Sequence, residues 1–141
     1  MNPTGHEPSL RKLLNPQEQA RIDAKEAAAL VKREREEQKI ARDWLKIQQD
    51  QKKLRFINPL SFKPSTIAEG HPDFSIWLPN GRCLLIEMKA DGGKLSPAQK
   101  QAAMHFAELG HPVKIVYGHE QLIRYVQFHL SVNVPATVNL P

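Results

Sequence analysis

The stretch Gly70-His71-Pro72-Asp73, followed fourteen residues after Asp73 by Glu87-Met88-Lys89, decides how this chain folds. Glu87 and Lys89 are two residues apart, so in a β-strand their side chains project from the same face. They close the otherwise apolar run 83–89, which is typical of a strand buried inside a sheet. Charged side chains on such a strand are costly unless they are paired or hold a metal ion. The pattern therefore predicts a site at which two carboxylates and one lysine meet.

The segments on either side of this pair predict a mixed sheet flanked by helices. Residues 73–77 and 83–89 form a hairpin, because the Asn-Gly step at 80–81 supplies the positive φ angles of a tight turn. Further strands are predicted at 54–57 and 113–117, and helices at 17–53, 97–109 and 121–130. This order gives an α/β fold with an αβββαβ core and a long N-terminal helix.

Length and composition indicate one domain with loose ends. The 141 residues divide into a flexible arm at 1–16, a single domain at 17–130 and a tail at 131–141. Within the domain, a long basic helix at 17–53 precedes the sheet core at 54–130. The single cysteine excludes an internal disulfide and any zinc site built from several cysteines. No signal peptide or apolar run of membrane length is present, which predicts a soluble, cytoplasmic protein without a membrane partner.

Positive charge is concentrated in the first third of the chain. The net charge is +5, and residues 1–55 hold 13 Lys or Arg against 9 Asp or Glu, whereas residues 56–141 hold 7 against 6. A basic face suits a polyanion such as nucleic acid, and a solvated helix of mixed charge is the alternative. The candidate DNA-binding residues lie on the long helix, in the loop 58–70 and beside the two motifs: Arg35, Arg42, Lys63, His71 and Lys94.

The long helix carries a further candidate site residue. Apolar residues repeat at helical spacing along its second half: Ile40, Ala41, Trp44, Leu45 and Ile47. Glu37 precedes the first four by three, four, seven and eight residues, which places it on the buried side of the helix. Glu34 and Glu36 are expected to point elsewhere. The alternative is that Glu37 lies at the edge of the stripe and reaches water.

These residue types fit the hydrolysis of a phosphodiester by water. Asp73 and Glu87 would supply anionic oxygens to Mg²⁺ or Mn²⁺, and the backbone carbonyl of Met88 would be a third ligand. Lys89 would hold the attacking water and stabilise hydroxide as it forms. A purely structural ion pair between Lys89 and Asp73 is the alternative. Gln99 is the N3 residue of a predicted helix capping box, and contact with a metal-bound water or with DNA could add to that role.

These residues resemble the VRR-NUC family of PD-(D/E)xK nucleases. The likeness is carried by residues 70–73, 86–89, 94–99 and 109–113, and by a first-helix motif at 37–38 and 44–45. The resemblance implies that Asp73 and Glu87 bind the metal and that Lys89 is the catalytic lysine. It also implies that Glu37 lies near the metal and contacts it through a water, and that Gln99 lies beside the site.

The resemblance implies an activity as well, which is metal-dependent endonucleolytic cleavage of DNA, often of branched, flap-like or four-way junction DNA. Compact stand-alone members are typical of phages and bacteria, and small members can act as homodimers. Two other interpretations stay open from the residues themselves. The chain would be a non-catalytic nucleic-acid-binding module that retains the nuclease fold, or a helical interaction protein that uses residues 17–53 as a dimer seam.

Overall fold

The structure is a computed structural model, and it describes residues 14–59 and 69–132. Within these ranges the chain forms an α/β fold with the element order that the sequence predicts. The helices are α1 (Pro16–Asp50), α2 (Pro97–Glu108) and α3 (His119–Ser131), and the strands are β1 (Arg55–Ile57), β2 (Phe74–Trp77), β3 (Cys83–Lys89) and β4 (Val113–Tyr117). Most of the predicted arm and nearly all of the predicted tail lie outside the described residues.

The strands named above form one mixed sheet in the order β1-β2-β3-β4. β2 is antiparallel to both β1 and β3, and β3 pairs in parallel with β4. The predicted hairpin between β2 and β3 is confirmed. Asn80 and Gly81 in its turn have φ angles of 66° and 71°, the two positive values that a short hairpin turn needs. The two motif segments are therefore neighbours in the sheet.

The two faces of the sheet have different environments. One face builds the core with α1 and α3, and its largest buried side chains are Phe74, Leu45, Ile76, Ile86, Met88 and Leu122. The other face carries Glu87 and Lys89, which are 2% and 7% exposed. α2 lies over this second face, since its residue Gln99 reaches Glu87. The charged motif is therefore buried, but on the side of the sheet away from the main core.

Local signals explain where the helices begin and end. α1 starts with a capping box in which the side chains of Asn15 and Glu18 each accept the other's backbone N–H. It runs unbroken for 35 residues, about 52 Å, and ends at Asp50, three residues before the predicted end. Lys52, with a φ of 59°, then turns the chain. α2 also starts with a capping box, and Gly110 follows its end with a φ of 87°.

The buried side of α1 agrees with the predicted apolar stripe only in part. Its buried residues are Gln38, Ala41 and Leu45. The prediction is wrong at Ile40 and Ile47, which are 45% and 54% exposed. Ala41 and Leu45 belong to the core and Trp44 packs against it, so both isoleucines lie at the sides of the contact. No helix among the described residues combines the length and the apolar character needed to cross a membrane.

Candidate active site

Asp73 and Glu87 face each other at the open end of the β2–β3 hairpin. The register pairs Phe74 with Ile86, so the next pair outward is Asp73 with Glu87, on the face away from the core. Asp73 precedes the first residue of β2, and its Oδ2 accepts the backbone N–H of Met88 at 2.8 Å. A carboxylate therefore takes the place that a backbone carbonyl of β2 would have in the ladder.

Lys89 lies between two carboxylates. Its Nζ is 3.3 Å from Glu87 Oε1 and 3.9 Å from Oε2 of Glu34, an acid of α1. The lysine side chain is 9% exposed, whereas that of Glu34 is 24% exposed and reaches water. The lysine stem packs on Gly93, where an added Cβ would lie 3.3 Å from Lys89 Cβ. The ammonium group is thus held at the boundary between the buried sheet face and solvent.

Gln99 serves two partners at once. Its amide oxygen accepts the Ser96 N–H at 2.9 Å and completes the capping box of α2, as predicted. Its amide nitrogen donates to Glu87 Oε1 at 2.6 Å. Because the capping box occupies the oxygen, the nitrogen is the end of the amide that faces the carboxylate. The first turn of α2 therefore orients Glu87.

Gly70 seats the motif loop on α2. It has a φ of +76°, and a Cβ added to it would lie 2.3 Å from the backbone oxygen of Ala98. Only glycine tolerates both the left-handed backbone and this close approach. Pro72, two residues later, is fully buried. These contacts fix the loop beside the first turn of α2 and so place Asp73 opposite Glu87.

Burial raises the pKa of both facing carboxyl groups. The pKa of Glu87 rises to about 8, chiefly through burial and then through the Asp73 carboxylate, while Lys89 opposes the shift. The pKa of Asp73 rises to about 6, again chiefly through burial, and the hydrogen bond from the Met88 N–H opposes this while Glu34 adds to it. Near neutral pH the pair therefore retains a proton that ordinary carboxyl groups would have lost.

A comparison of the sequence with protein-family models identifies the family of this chain. The VRR-NUC domain matches residues 6–120, most of the chain. The chain belongs to the VRR-NUC family. This is a family of PD-(D/E)xK nucleases, and membership implies nuclease activity on DNA. No curated protein and no solved structure matched the chain.

In this VRR-NUC chain, the acid of α1 that lies beside Lys89 is Glu34, contrary to the expectation that it points elsewhere. Glu37 instead contacts α3. Its Oε2 accepts the backbone N–H of His119 at 2.6 Å and lies 2.5 Å from Nδ1 of the same residue. α3 has no side-chain cap of its own at Gly118, so Glu37 caps it from another helix. The hydrogen bond from the His119 N–H lowers the pKa of Glu37.

Glu34 lies on the same helix face as the buried residues of α1. It precedes the buried residues Gln38, Ala41 and Leu45 by four, seven and eleven positions, the spacing of a single helix face. Gln38 is 2% exposed, and its amide oxygen is buried without a hydrogen-bond partner in the described parts of the chain. The face of α1 that leads into the VRR-NUC site is thus polar at this end. A prediction that weighted only large apolar residues therefore missed it.

The candidate DNA-binding residues fall in different surroundings. Lys63 lies outside the described residues, whereas Lys94 and Arg35 are exposed and Arg42 is half-buried. The ring of His71 packs edge-on against an aromatic ring of α2. Partial burial lowers the pKa of His71, which favours the neutral imidazole, the form that offers a phosphate a hydrogen bond rather than an ion pair.

Proposed function

We propose that this VRR-NUC chain is a divalent-metal-dependent endonuclease that uses Mg²⁺ or Mn²⁺ and prefers branched, flap or four-way junction DNA. The observation that carries the proposal is the facing pair of Asp73 and Glu87 with Lys89 on the same sheet face. Both acids are disfavoured as anions by burial. A cation bound between them would remove that penalty, because it stabilises the ionised form of each carboxyl group.

The donor atoms suit a hard cation. In the described ranges, no three His, Cys, Asp or Glu side chains are grouped so as to hold a metal. A backbone oxygen can supply the third donor. The N–H and C=O groups of a strand residue point to the same side, and the N–H of Met88 points to Asp73, so its carbonyl does too. Two carboxylates, one carbonyl and waters form the kind of ligand set that Mg²⁺ takes.

A bound metal would lower the pKa of a coordinated water and offset the charge of the phosphate. Lys89 contributes the positive charge that belongs to the chain itself. An ammonium group has three N–H donors. The Glu87 carboxylate lies within hydrogen-bonding distance of it, whereas the Glu34 carboxylate at 3.9 Å makes only an ion-pair contact. The donors that face away from Glu87 can hold a water or a phosphate oxygen. We therefore assign Lys89 the roles of orienting the attacking water and stabilising negative charge in the transition state.

We assign to Glu34 the role that the sequence suggested for Glu37. The Glu34 carboxylate lies beside Lys89 and is partly open to solvent, so it can hold a water at the mouth of the site. The Glu37 carboxylate is engaged by the N-terminus of α3. Gln99 completes the set as the residue that orients Glu87.

Cleavage assays test the proposal directly. Supercoiled plasmid, flap and four-way junction DNA would be incubated with the parent protein and with Asp73→Asn, Glu87→Gln and Lys89→Gln, in Mg²⁺, in Mn²⁺ and in chelator. We expect each substitution to lower the rate by at least about 100-fold. Asp43→Asn is the matched control, because Asp43 forms an exposed pair with Lys39 on α1, and it should keep the parental rate.

Four results would each count against one part of the proposal. If all three site variants cleave at the parental rate, these residues do not form the active site. Cleavage in chelator would show that the reaction needs no divalent metal. Salt-dependent binding of the same DNA without turnover in either metal would favour the non-catalytic binding module instead. Equal rates on linear duplex and on branched DNA would remove the structure preference alone.

A further inference from the structure

The sheet face that carries the site extends beyond it to an exposed tryptophan. Trp77 ends β2, four residues after Asp73, and residues at this spacing share a face. At about 3.3 Å per residue, the two positions are about 13 Å apart. Trp77 is 44% exposed, although β2 is an inner strand of the sheet. An exposed aromatic ring marks a binding surface when it belongs to a contiguous exposed patch rather than standing alone.

Exposed side chains flank Trp77 in the same row of the sheet. The register pairs it with Arg55 of β1 and with Cys83 of β3, and paired residues point to the same face. Both neighbours are exposed. Ile57, two residues after Arg55, is 48% exposed on this face as well. Trp77 therefore lies in an open patch with Arg55 as its partner on the neighbouring strand.

We propose that Trp77 and Arg55 form a platform on which an unpaired nucleobase of the DNA substrate stacks, an inference that rests on the proposed nuclease function. Aromatic rings bind bases of any sequence by stacking, and an arginine beside the ring can contact the adjoining phosphate. A base inside a duplex has both faces covered by its neighbours, so it must leave the stack before it can meet the ring. The platform thus selects DNA with single-stranded nucleotides close to the cleaved bond.

The size and charge of the patch favour DNA over a second protein chain. A stable protein interface buries about 800 Å² on each partner, whereas a whole tryptophan side chain buries only about 150–250 Å². Trp77 and Ile57 together fall well short of the area that such an interface needs. The positive charge of Arg55 and the net charge of +5 for the chain both favour a polyanion.

Binding measurements in chelator, where no cleavage is expected, test the platform. Fluorescence anisotropy would compare labelled single-stranded DNA, a duplex with a single-stranded tail and a blunt duplex. Trp77→Val keeps a strand-forming residue but removes the ring. It should weaken binding to the two DNAs with unpaired bases by about 5- to 150-fold and leave the blunt duplex unchanged. Trp77→Phe keeps a ring and should retain most of the affinity.

Controls separate stacking from general loss of structure or charge. Phe128→Val removes another exposed aromatic side chain, 61% exposed on α3 across the sheet, and should alter none of the three affinities. Arg55→Gln should reduce the slope of log affinity against log salt by about 0.7–0.9, whereas Trp77→Val should leave that slope unchanged. In a Trp44→Phe background Trp77 is the one tryptophan left, and single strands should quench its fluorescence.

The platform is overturned if Trp77→Val binds tailed DNA as tightly as the parent, or if it weakens all three DNAs equally. It is also overturned if Trp77→Val turns a dimer into a monomer in sedimentation, since the patch would then contact a second copy. These measurements need no turnover. Stacking on Trp77 without metal-dependent cleavage would support the platform and refute the endonuclease. Metal-dependent cleavage without stacking would support the endonuclease and refute the platform.

Discussion

The buried carboxyl group of Glu87 makes the stability of the metal-free protein depend on pH. Its side chain is 3% exposed, and burial, followed by the Asp73 carboxylate, raises its pKa from 4.5 to about 8. Between these two values the folded protein binds a proton at Glu87 that the unfolded chain has released. The slope of the free energy of unfolding against pH is proportional to the number of protons bound by the unfolded state minus the number bound by the folded state. That difference is negative here, so stability falls as the pH rises.

The magnitude follows from a single proton. One proton taken up on folding lowers the free energy of unfolding by about 1.4 kcal/mol for each pH unit. Over about two units, from pH 5.5 to pH 7.5, the loss is about 3 kcal/mol. Glu87→Gln removes this titration, and its amide oxygen can still accept the hydrogen bond from Gln99. We expect the variant to match the parent near pH 5 and to be more stable by about 3 kcal/mol at pH 7.5.

Urea denaturation in chelator, followed by circular dichroism at several pH values, measures this difference. Glu108→Gln is the matched control, because Glu108 is exposed at the end of α2, and this variant should lose stability with rising pH as the parent does. Mg²⁺ should stabilise the parent at pH 7.5 and have little effect on Glu87→Gln, since a cation favours the ionised carboxyl group. Parallel stability curves for parent and Glu87→Gln would refute the reasoning.

Three further substitutions test neighbouring parts of the site. Glu37→Ala removes the cap of α3 and should lower the free energy of unfolding by about 1–2 kcal/mol in urea titrations. Turnover should fall far less than in the Asp73, Glu87 and Lys89 variants, because Glu37 acts through the position of Glu34; a loss as large as theirs at unchanged stability would return Glu37 to the site. Gly70→Ala puts a Cβ 2.3 Å from the Ala98 oxygen and should lower Tm by at least about 4 °C; an unchanged Tm would show that the loop does not need this contact. Gln99→Glu keeps the capping box but sets a carboxylate against Glu87. Thermal melts without metal should therefore show a lower Tm than the parent at pH 8 and little difference at pH 5. An equal loss of Tm at the two pH values would contradict the argument from charge.

Local structure that depends on a few neighbouring residues was predictable from the sequence. The Asn80-Gly81 turn, the Ser96 capping box and the apolar run of β3 each specify their own local structure, and the structure has all three. The hairpin register then follows from the turn, because a short turn leaves little freedom in how the strands pair. The meeting of Asp73 and Glu87 is a consequence of that register.

The rotation of α1 about its axis was not predictable in the same way. Ile40 and Ile47 are apolar, but burial on a helix depends on which side fits the sheet, and Ala41 with Gln38 fits better. Hydrophobicity alone therefore placed Ala41 and Leu45 correctly on the buried side of α1, but it wrongly added Ile40 and Ile47. The contact of Glu37 with His119 joins residues 82 positions apart, and a sequence pattern carries no direct sign of it. The absence of a capping side chain at the start of α3 is the one local hint that a cap comes from elsewhere.

The cap made by Glu37 also explains how Glu34 comes to face the site. Glu34 lies three residues earlier on α1, about 60° around the helix axis. The N-terminus of α3 that Glu37 caps is bound to the end of β3, since the Gly118 N–H donates to the backbone oxygen of Lys89 at 3.1 Å. An added Cβ on Gly118 would lie 3.3 Å from Glu37 Oε2, so glycine lets the carboxylate approach closely. Anchoring Glu37 there fixes the rotation of α1 and holds the neighbouring Glu34 carboxylate next to the ammonium of Lys89. Glu37 thus bears on the candidate site through the position of α1, and Glu34, which was expected to point elsewhere, lies beside Lys89.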